Sequence, residues 1–342
     1  TRLAKKFPWF NKAWGFAHWA KHGKLLASTV AIIDPDQFFL APLTQGLMPR
    51  ASWRLEERWR ADPAATDTPR PGLAIAQQYG IGAGWVAKFD RRKLCGNSWC
   101  ATMTQDEVLK HFSIGVPYLL HADDVAPLMT QWWQFMPDTY AQDVGDLQAD
   151  MYAYNMAAAH LGIGHVTMQH YMISSPMDSN SEGWDAVDAL YDESRSRRHS
   201  CREAGMRTDD GKRWVVPTLT HACQRFTAHH AGNSPMNATK SSRTDEHVWL
   251  FHKGHVPPNI LECDQPLLRP PPDDLLDVQT SLMSHRHAFL VCALHRQVNE
   301  AARDYKRKYC APADTNLREC VRLTEGGMGS PEFPGSFARR QC

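Results

Sequence analysis

Residues 28–40 constrain the fold most, because an apolar run ends there abruptly in two carboxylates. The continuous apolar segment 30–33 predicts a strand buried on both faces, as in a parallel sheet covered by helices. Pro35 lacks a backbone donor and biases the residue before it towards an extended conformation, so the strand should stop at Asp34. Asp34 and Asp36 are therefore expected at the carboxyl end of a buried strand, where open α/β sheets bind ligands.

Asp34 and Asp36 form an Asp-x-Asp pattern that suits a hard divalent cation bound through oxygen ligands. Such a cation can neutralise a diphosphate during group transfer. The alternative is structural, since Asp and Pro both favour turns for ordinary backbone reasons. The tripeptide alone leaves both interpretations open.

A second informative stretch covers residues 143–162. One apolar stripe with alternating steps of three and four predicts a helix with Asp143 as its N-cap and Gly162 as its stop. Asp150 flanks that stripe, so its carboxylate either faces solvent or turns into a cleft. The stripe consists of Val144, Leu147, Met151, Tyr154, Ala158 and Leu161.

The remaining pattern is that of an α/β protein with loop-rich insertions. We predict a helix over 7–20 that packs on the strand after it, with Trp9, Ala13, Phe16, Ala17 and Ala20 on one face. Further predictions are short strands at 72–76, 115–120 and 214–221, a helix through Trp132 and Trp133, and a turn at 80–84. Loops are expected at 50–71, with a short helix around 53–60, and at 179–213 and 227–246. After three prolines, a long amphipathic helix should carry Leu275, Val278, Leu282, Phe289, Cys292 and Val298.

Histidines supply candidate nitrogen ligands. His221 ends the predicted strand 214–221, and its imidazole is a plausible extra metal or phosphate ligand. The series His247, His252 and His255 invites comparison with zinc sites. However, it lacks the His-Glu-x-x-His spacing that places two histidines on one helical face, which disfavours a zinc hydrolase.

Composition excludes several classes of protein. The 342 residues carry 38 basic and 37 acidic side chains and a net charge of +1, so no global field recruits nucleic acid or an acidic membrane. No apolar window reaches the roughly 18 residues of a membrane span. The chain starts at Thr1, so we expect a fragment whose true start, with any signal or membrane anchor, is missing. Residues 326–342 resemble a linker or disordered tail.

Nine cysteines leave the redox state open. Cys95 with Cys100, or Cys223 with Cys263, could form a disulfide in a secretory compartment, while scattered reduced thiols are the alternative. A sequon at Asn237 agrees with a luminal address.

Several short motifs, in order, carry a family resemblance over roughly residues 7–308, outside the insertions at 50–70, 180–212 and 228–245. The chain resembles the plant and algal hydroxyproline O-arabinosyltransferases and, around residues 149–154, the related peptidyl serine α-galactosyltransferases. The motifs are Phe-Asn-Lys-Ala-Trp-Gly-Phe (10–16), Ile-Asp-Pro-Asp-Gln-Phe (33–38), Ala-Asp-Met-Tyr-Ala-Tyr (149–154), Phe226 after Cys223, Trp-Leu-Phe-His-Lys (249–253) and Pro-Pro-Pro (270–272).

The resemblance implies a single GT-A-like (Rossmann-like) domain over residues 1–325, with a mixed sheet flanked by helices. It implies a UDP-sugar donor, Mn²⁺ and transfer, with retention of configuration, to hydroxyproline in hydroxyproline-rich proteins. L-Arabinofuranose is the favoured sugar, and α-galactosylation of serine is the alternative. The implied location is the lumen of the Golgi or endoplasmic reticulum, as a type II membrane protein.

The resemblance also implies residue roles. Asp34 and Asp36 would hold the metal and the UDP-sugar, Asp150 would be the catalytic contact to donor or acceptor, and His221 would be a further metal ligand. The chain lacks almost all of the strands and helices that precede the Asp-x-Asp position in such enzymes and bind uridine. A non-catalytic sugar- or protein-binding remnant is therefore the competing hypothesis.

Overall fold

The structure is a computed structural model that describes residues 10–41, 43, 68–169, 171–178, 181–193, 199–205, 217–230 and 247–323. The predicted helix at 53–60, most of the loop at 50–71, the sequon and the tail at 326–342 lie outside these ranges. The described helices are α1 Phe10–His22, α2 Trp85–Lys88, α3 Arg91–Cys95, α4 Trp99–Thr102, α5 Gln105–His111, α6 Ala122–Gln142, α7 Ala149–His160, α8 Asp185–Glu193 and α9 Leu282–Tyr309. The described strands are β1 Thr29–Ile32, β2 Gln37–Phe39, β3 Leu73–Gln78, β4 Ile114–His121, β5 Gly164–Met168, β6 Met172–Ile173, β7 Leu219–His221, β8 Phe226–His229, β9 Val248–Phe251, β10 Leu267–Leu268 and β11 Glu319–Val321.

The chain is a mixed α/β protein with two compact units, one of residues 1–34 and 44–169 and the other of 35–43 and 170–342. The predicted strands at 72–76 and 115–120 are confirmed as β3 and β4, and the helix through Trp132 and Trp133 is confirmed as α6. Within the described residues, no helix is both long and apolar enough to cross a bilayer.

The first unit contains a four-stranded sheet in the order β1-β4-β3-β5. Strand β4 is buried along its length except at its last residue, and it pairs antiparallel with both neighbours. Strands β3 and β5 are parallel, so the sheet is mixed. A run of buried apolar residues such as β4 is what a central strand requires.

Strand β1 corrects one prediction. It lies at the edge of the sheet and runs antiparallel to β4, whereas the sequence predicted a parallel strand buried on both faces. Ile32 is buried, but Ala31 is exposed. An apolar run of four residues fits an edge strand as well as a central one, because its composition does not report its neighbours. The strand does stop before Pro35, as predicted.

The predicted helix at the start of the chain is confirmed as α1, but it packs against a different element than predicted. Trp9 lies outside the described residues. Phe10 and Ala13 are buried, and Phe16, Ala17 and Ala20 are partly buried against the core. The helix packs on α6 rather than on the following strand. Edge-on contacts join Phe10 to Trp133 and Tyr140, and the Phe16 ring stacks on Trp132. Aromatic pairs of this kind add to the free energy of burial.

The helix predicted over 143–162 is shorter than expected. Asp143 is the C-cap of α6, and Gly145 follows with a positive φ of 96°, so helical geometry is interrupted. Helix α7 begins only after Gln148. Val144 and Leu147 are 72% and 67% exposed and take no part in the predicted stripe. Gly162, with φ 72°, ends the helical segment as predicted.

The second unit combines small sheets with α9. Strand β7 pairs antiparallel with β2 and parallel with β6, β8 pairs antiparallel with β9, and β10 is parallel to β11. Helix α9 starts later than predicted, because Ser281 and Ser284 form a capping box there. Leu275 and Val278 therefore lie in the turns before the helix, where Leu275 is fully buried.

Three disulfides are resolved among the described cysteines. Cys95 pairs with Cys100 as predicted, and Cys201 pairs with Cys292. The proposed pair of Cys223 and Cys263 is wrong, because Cys263 bonds Cys310 and Cys223 is free. Spacing in the sequence could not select these partners, since disulfide geometry requires Cα atoms within about 7 Å.

Candidate metal centre

Asp36 and His221 are brought together by the register of two strands in the second unit. Residue 37, the first of β2, pairs with His221, the last of β7. Asp36 immediately precedes β2, and its carbonyl oxygen accepts a hydrogen bond from the Ala222 amide at 2.9 Å. The side chains meet beside this backbone contact, with His221 Nε2 3.3 Å from Asp36 Oδ1. His221 is buried, so its imidazole has a fixed position.

Lys253 supplies a second cationic partner. It follows β9 in a single 3₁₀ turn, and its Nζ forms an ion pair with Asp36 Oδ2. Burial alone would raise the pKa of Asp36, but hydrogen bonds from His221 and Lys253 outweigh burial and hold that pKa well below its usual range. Asp36 is therefore an ionised carboxylate at neutral pH, which is the state that a metal ion requires.

Asp34 is separated from Asp36 by Pro35 alone, in the turn that joins β1 to β2. The two Cα atoms are therefore at most about 7 Å apart by chain geometry. The Asp-Pro-Asp segment therefore belongs to a turn, as the structural interpretation of the sequence predicted, and it also presents two carboxylates. Together with His221 these carboxylates make an Asp-Asp-His group that could in principle bind a metal ion.

In the first unit, Asp34 contacts Lys12 of α1. The distance from Lys12 Nζ to Asp34 Oδ1 is 2.7 Å, and the same ammonium lies 3.2 Å from Asp150 Oδ2. Burial lowers the pKa of Lys12, but the carboxylates of Asp150 and Asp34 outweigh it, and the net pKa is raised. Lys12 is therefore a charged bridge between two acidic groups.

Asp150 lies in the first turn of α7 and is only 3% exposed, so a solvated surface position is wrong for it. Trp132 Nε1 donates a hydrogen bond to its carbonyl oxygen at 2.8 Å, which fixes the backbone there. Burial raises the pKa of the Asp150 carboxyl group, and the attraction of Lys12 opposes that rise only in part. Its carboxylate is engaged by Lys12, so contact with a substrate would require Lys12 to release it.

The donor set fits a divalent cation of borderline hardness. Carboxylate oxygens suit Mg²⁺, Ca²⁺ and Mn²⁺, and a single imidazole is compatible with Mn²⁺ and with later transition metals. In the structure Lys253 and His221 already contact the two carboxylate oxygens of Asp36, so a bound cation would take the place of the Lys253 ammonium. The remaining coordination positions would be open to water or to substrate oxygens.

Sequence reasoning missed Lys12 and Lys253. Both occur inside motifs of the family resemblance, but no local pattern indicates that either ammonium contacts an aspartate far away in the chain. Within the described residues, His247, His252 and His255 form no three-ligand group, although the rings of His252 and His255 lie 4.9 Å apart.

A scan of protein-family models finds no match to this chain, and no curated protein or solved structure matches it either.

Proposed function

We propose that the chain is a metal-dependent glycosyltransferase of GT-A-like design, which moves a sugar from a UDP-sugar to a hydroxyl group of a protein. The observation that carries the proposal is the pairing of an ionised Asp36 with buried His221 at adjacent strand ends, with Asp34 one residue away. The motif order described above is the second support. The mixed α/β architecture is compatible with a GT-A-like fold, which remains part of the proposal.

Asp34, Asp36 and His221 would hold Mn²⁺ in this proposal. When bound, the ion would neutralise the negative charge that develops on the departing UDP. Lys253 is half-exposed and forms an ion pair with Asp36. Its ammonium would therefore lie close to the bound ion and could provide a second positive charge for the diphosphate oxygens. Asp150 is the candidate for contact with the donor or acceptor sugar, and its ion pair with Lys12 would have to open first.

The favoured reaction is transfer of L-arabinofuranose to hydroxyproline in hydroxyproline-rich proteins. Transfer of galactose to serine is the second candidate, supported by residues 149–154. Choice of sugar depends on the shape of the pocket and not on the metal ligands, so the two share the same centre. Three disulfides agree with the oxidising lumen of the endoplasmic reticulum or Golgi, which is the proposed compartment.

The first test is the melting temperature of the chain with UDP, measured with and without Mn²⁺. A ligand that binds only the native state must raise the melting temperature. We expect a shift that needs both UDP and Mn²⁺, and we expect Asp36→Asn to abolish it because a carboxylate ligand is lost. Asp123→Asn is the matched control, since this aspartate is 76% exposed and outside the donor set.

A folded Asp36→Asn variant that keeps the full manganese-dependent shift would refute the metal assignment. A folded parent chain with no shift would instead favour the competing hypothesis of a non-catalytic sugar- or protein-binding remnant. Acceptor binding without donor binding would support that hypothesis directly. If a shift is found, comparing UDP-arabinofuranose with UDP-galactose would separate the two candidate reactions.

A further inference from the structure

The last turns of α1 carry an exposed row of aromatic and imidazole rings. Trp14, His18 and His22 recur at intervals of four, so they share one face of the helix. The rings of Trp14 and His18 stack at 5.2 Å with an interplanar angle of 20°. The centroids of His18 and His22 are 4.5 Å apart, and both side chains are exposed.

We propose that His18 and His22 form a second metal site, which takes a late divalent transition metal such as Cu²⁺, Ni²⁺ or Zn²⁺. Neutral imidazole is the commonest protein ligand for these ions. Two histidines four residues apart on a helix can donate to one ion, as in helical zinc sites. Water would fill the remaining positions, because both rings face solvent.

Three features of α1 favour this site. The helix ends at His22, so an ion there lies at the negative pole of the helix dipole, beside carbonyl groups without helical partners. Stacking on Trp14 restricts the His18 ring before any ion binds, which reduces the entropy lost on binding. Among the described residues, neither imidazole has a hydrogen bond that an ion would have to replace.

One feature opposes the site. Lys21 is an exposed cation in the same turn, and its charge repels a bound ion. Both charges lie in water, whose high dielectric constant weakens this repulsion, whereas coordination acts directly on the metal. The site is also chemically distinct from the Asp-Asp-His group, since a pair of imidazoles selects Cu²⁺, Ni²⁺ and Zn²⁺ over Mn²⁺.

The experiment is a Cu²⁺ titration of the full chain carrying Asp36→Asn, followed by calorimetry and by tryptophan fluorescence. We expect one class of sites that quenches Trp14. His18→Gln and His22→Gln should each weaken that class by roughly 10²-fold, because the second ligand acts at high effective concentration. Gln keeps good helix propensity at these exposed positions, and equal circular dichroism spectra would verify α1.

Two further variants make the readout specific. Trp14→Phe should reduce the quenching to the part that comes from Trp19, and it should keep most of the calorimetric affinity because phenylalanine can also stack on His18. Lys21→Gln should keep the quenching and should not lower the affinity. The proposal is overturned if the folded variant with both histidines replaced binds Cu²⁺ with the parent's stoichiometry and affinity. It is also overturned if neither single replacement weakens the class of sites that quenches fluorescence.

Discussion

At the residue scale, the two carboxylates of the Asp-Pro-Asp turn differ in their partners. Asp34 forms an ion pair with Lys12, whereas the carboxylate of Asp36 contacts His221 and Lys253. The sequence indicated the carboxylates through the strand that ends before Pro35. Lys12, His221 and Lys253 are far from these aspartates in the sequence. No local pattern therefore indicates the contacts, and only the structure shows them.

Lys12 provides a test at this scale. Lys12→Met should destabilise the first unit by about 2–4 kcal/mol, because removal of one partner leaves the buried Asp150 and the neighbouring Asp34 without compensation. The measurement is urea unfolding at neutral pH. Adding Asp150→Asn to Lys12→Met should recover part of the loss, since the uncompensated buried charge is then removed.

The control for that test is Lys24→Met, which removes an exposed ammonium close to the same helix and should change stability by less than about 0.5 kcal/mol. Strictly additive effects of Lys12→Met and Asp150→Asn in a double-mutant cycle would contradict the direct interaction between the two side chains.

At the scale of elements, α9 shows how much of a helix can be predicted from the sequence. Its amphipathic pattern was predicted, and Phe289, Cys292 and Val298 are buried as expected. Its start was misplaced, because apolar residues in the preceding turns continue the same pattern. The helix also buries His285 and His295, which composition would assign to the polar face.

Those two histidines predict how stability depends on pH. Burial lowers the pKa of His285 and of His295 to about 4, against an ordinary value of 6.5. The unfolded chain therefore binds more protons between these values, so the free energy of unfolding falls as the pH drops from 6.5 to 4. Each histidine accounts for a loss on the order of 3 kcal/mol across that window, and its stabilising contribution is complete above pH 6.5.

His295→Phe isolates one of the two groups. The ring is edge-on to Trp249 and Phe251, so an aromatic replacement keeps the kind of packing that surrounds it. We expect the slope of unfolding free energy against pH to fall by about 1.4 kcal/mol per pH unit between pH 4.5 and 6, which corresponds to one proton. Above pH 7 the slopes of the two proteins should coincide. Equal slopes of the two proteins below pH 6 would show that His295 has the same pKa in the folded and the unfolded chain, which would contradict the prediction.

At the scale of the whole molecule, the chain passes between two compact units three times, near residues 34, 43 and 170. Each resolved disulfide closes a loop within one unit. The separations are 5 residues for Cys95–Cys100, 47 for Cys263–Cys310 and 91 for Cys201–Cys292. Because a cross-link restricts the unfolded chain more when its loop is longer, these bonds should differ in their contribution to stability.

Replacing Cys201 and Cys292 together by Ala should cost about 4–5 kcal/mol, and the same change at Cys95 and Cys100 only about 2 kcal/mol. Alanine suits these positions because the four sulfur-bearing side chains are buried. Urea unfolding of the two double variants provides the comparison. Equal losses, or a larger loss for the short loop, would contradict the loop-length account.

The sequence by itself determined the α/β class, the strands β3 and β4, helices α1, α6 and α9 in outline, and the stops at Pro35 and Gly162. These features depend on hydrophobic periodicity and backbone restrictions that act over a few residues. Tertiary structure decided that β1 is an edge strand, that Asp150 is buried against Lys12, and which cysteines pair. Those outcomes join residues that are far apart in the chain, and only the packing of the folded units selects among the possible partners.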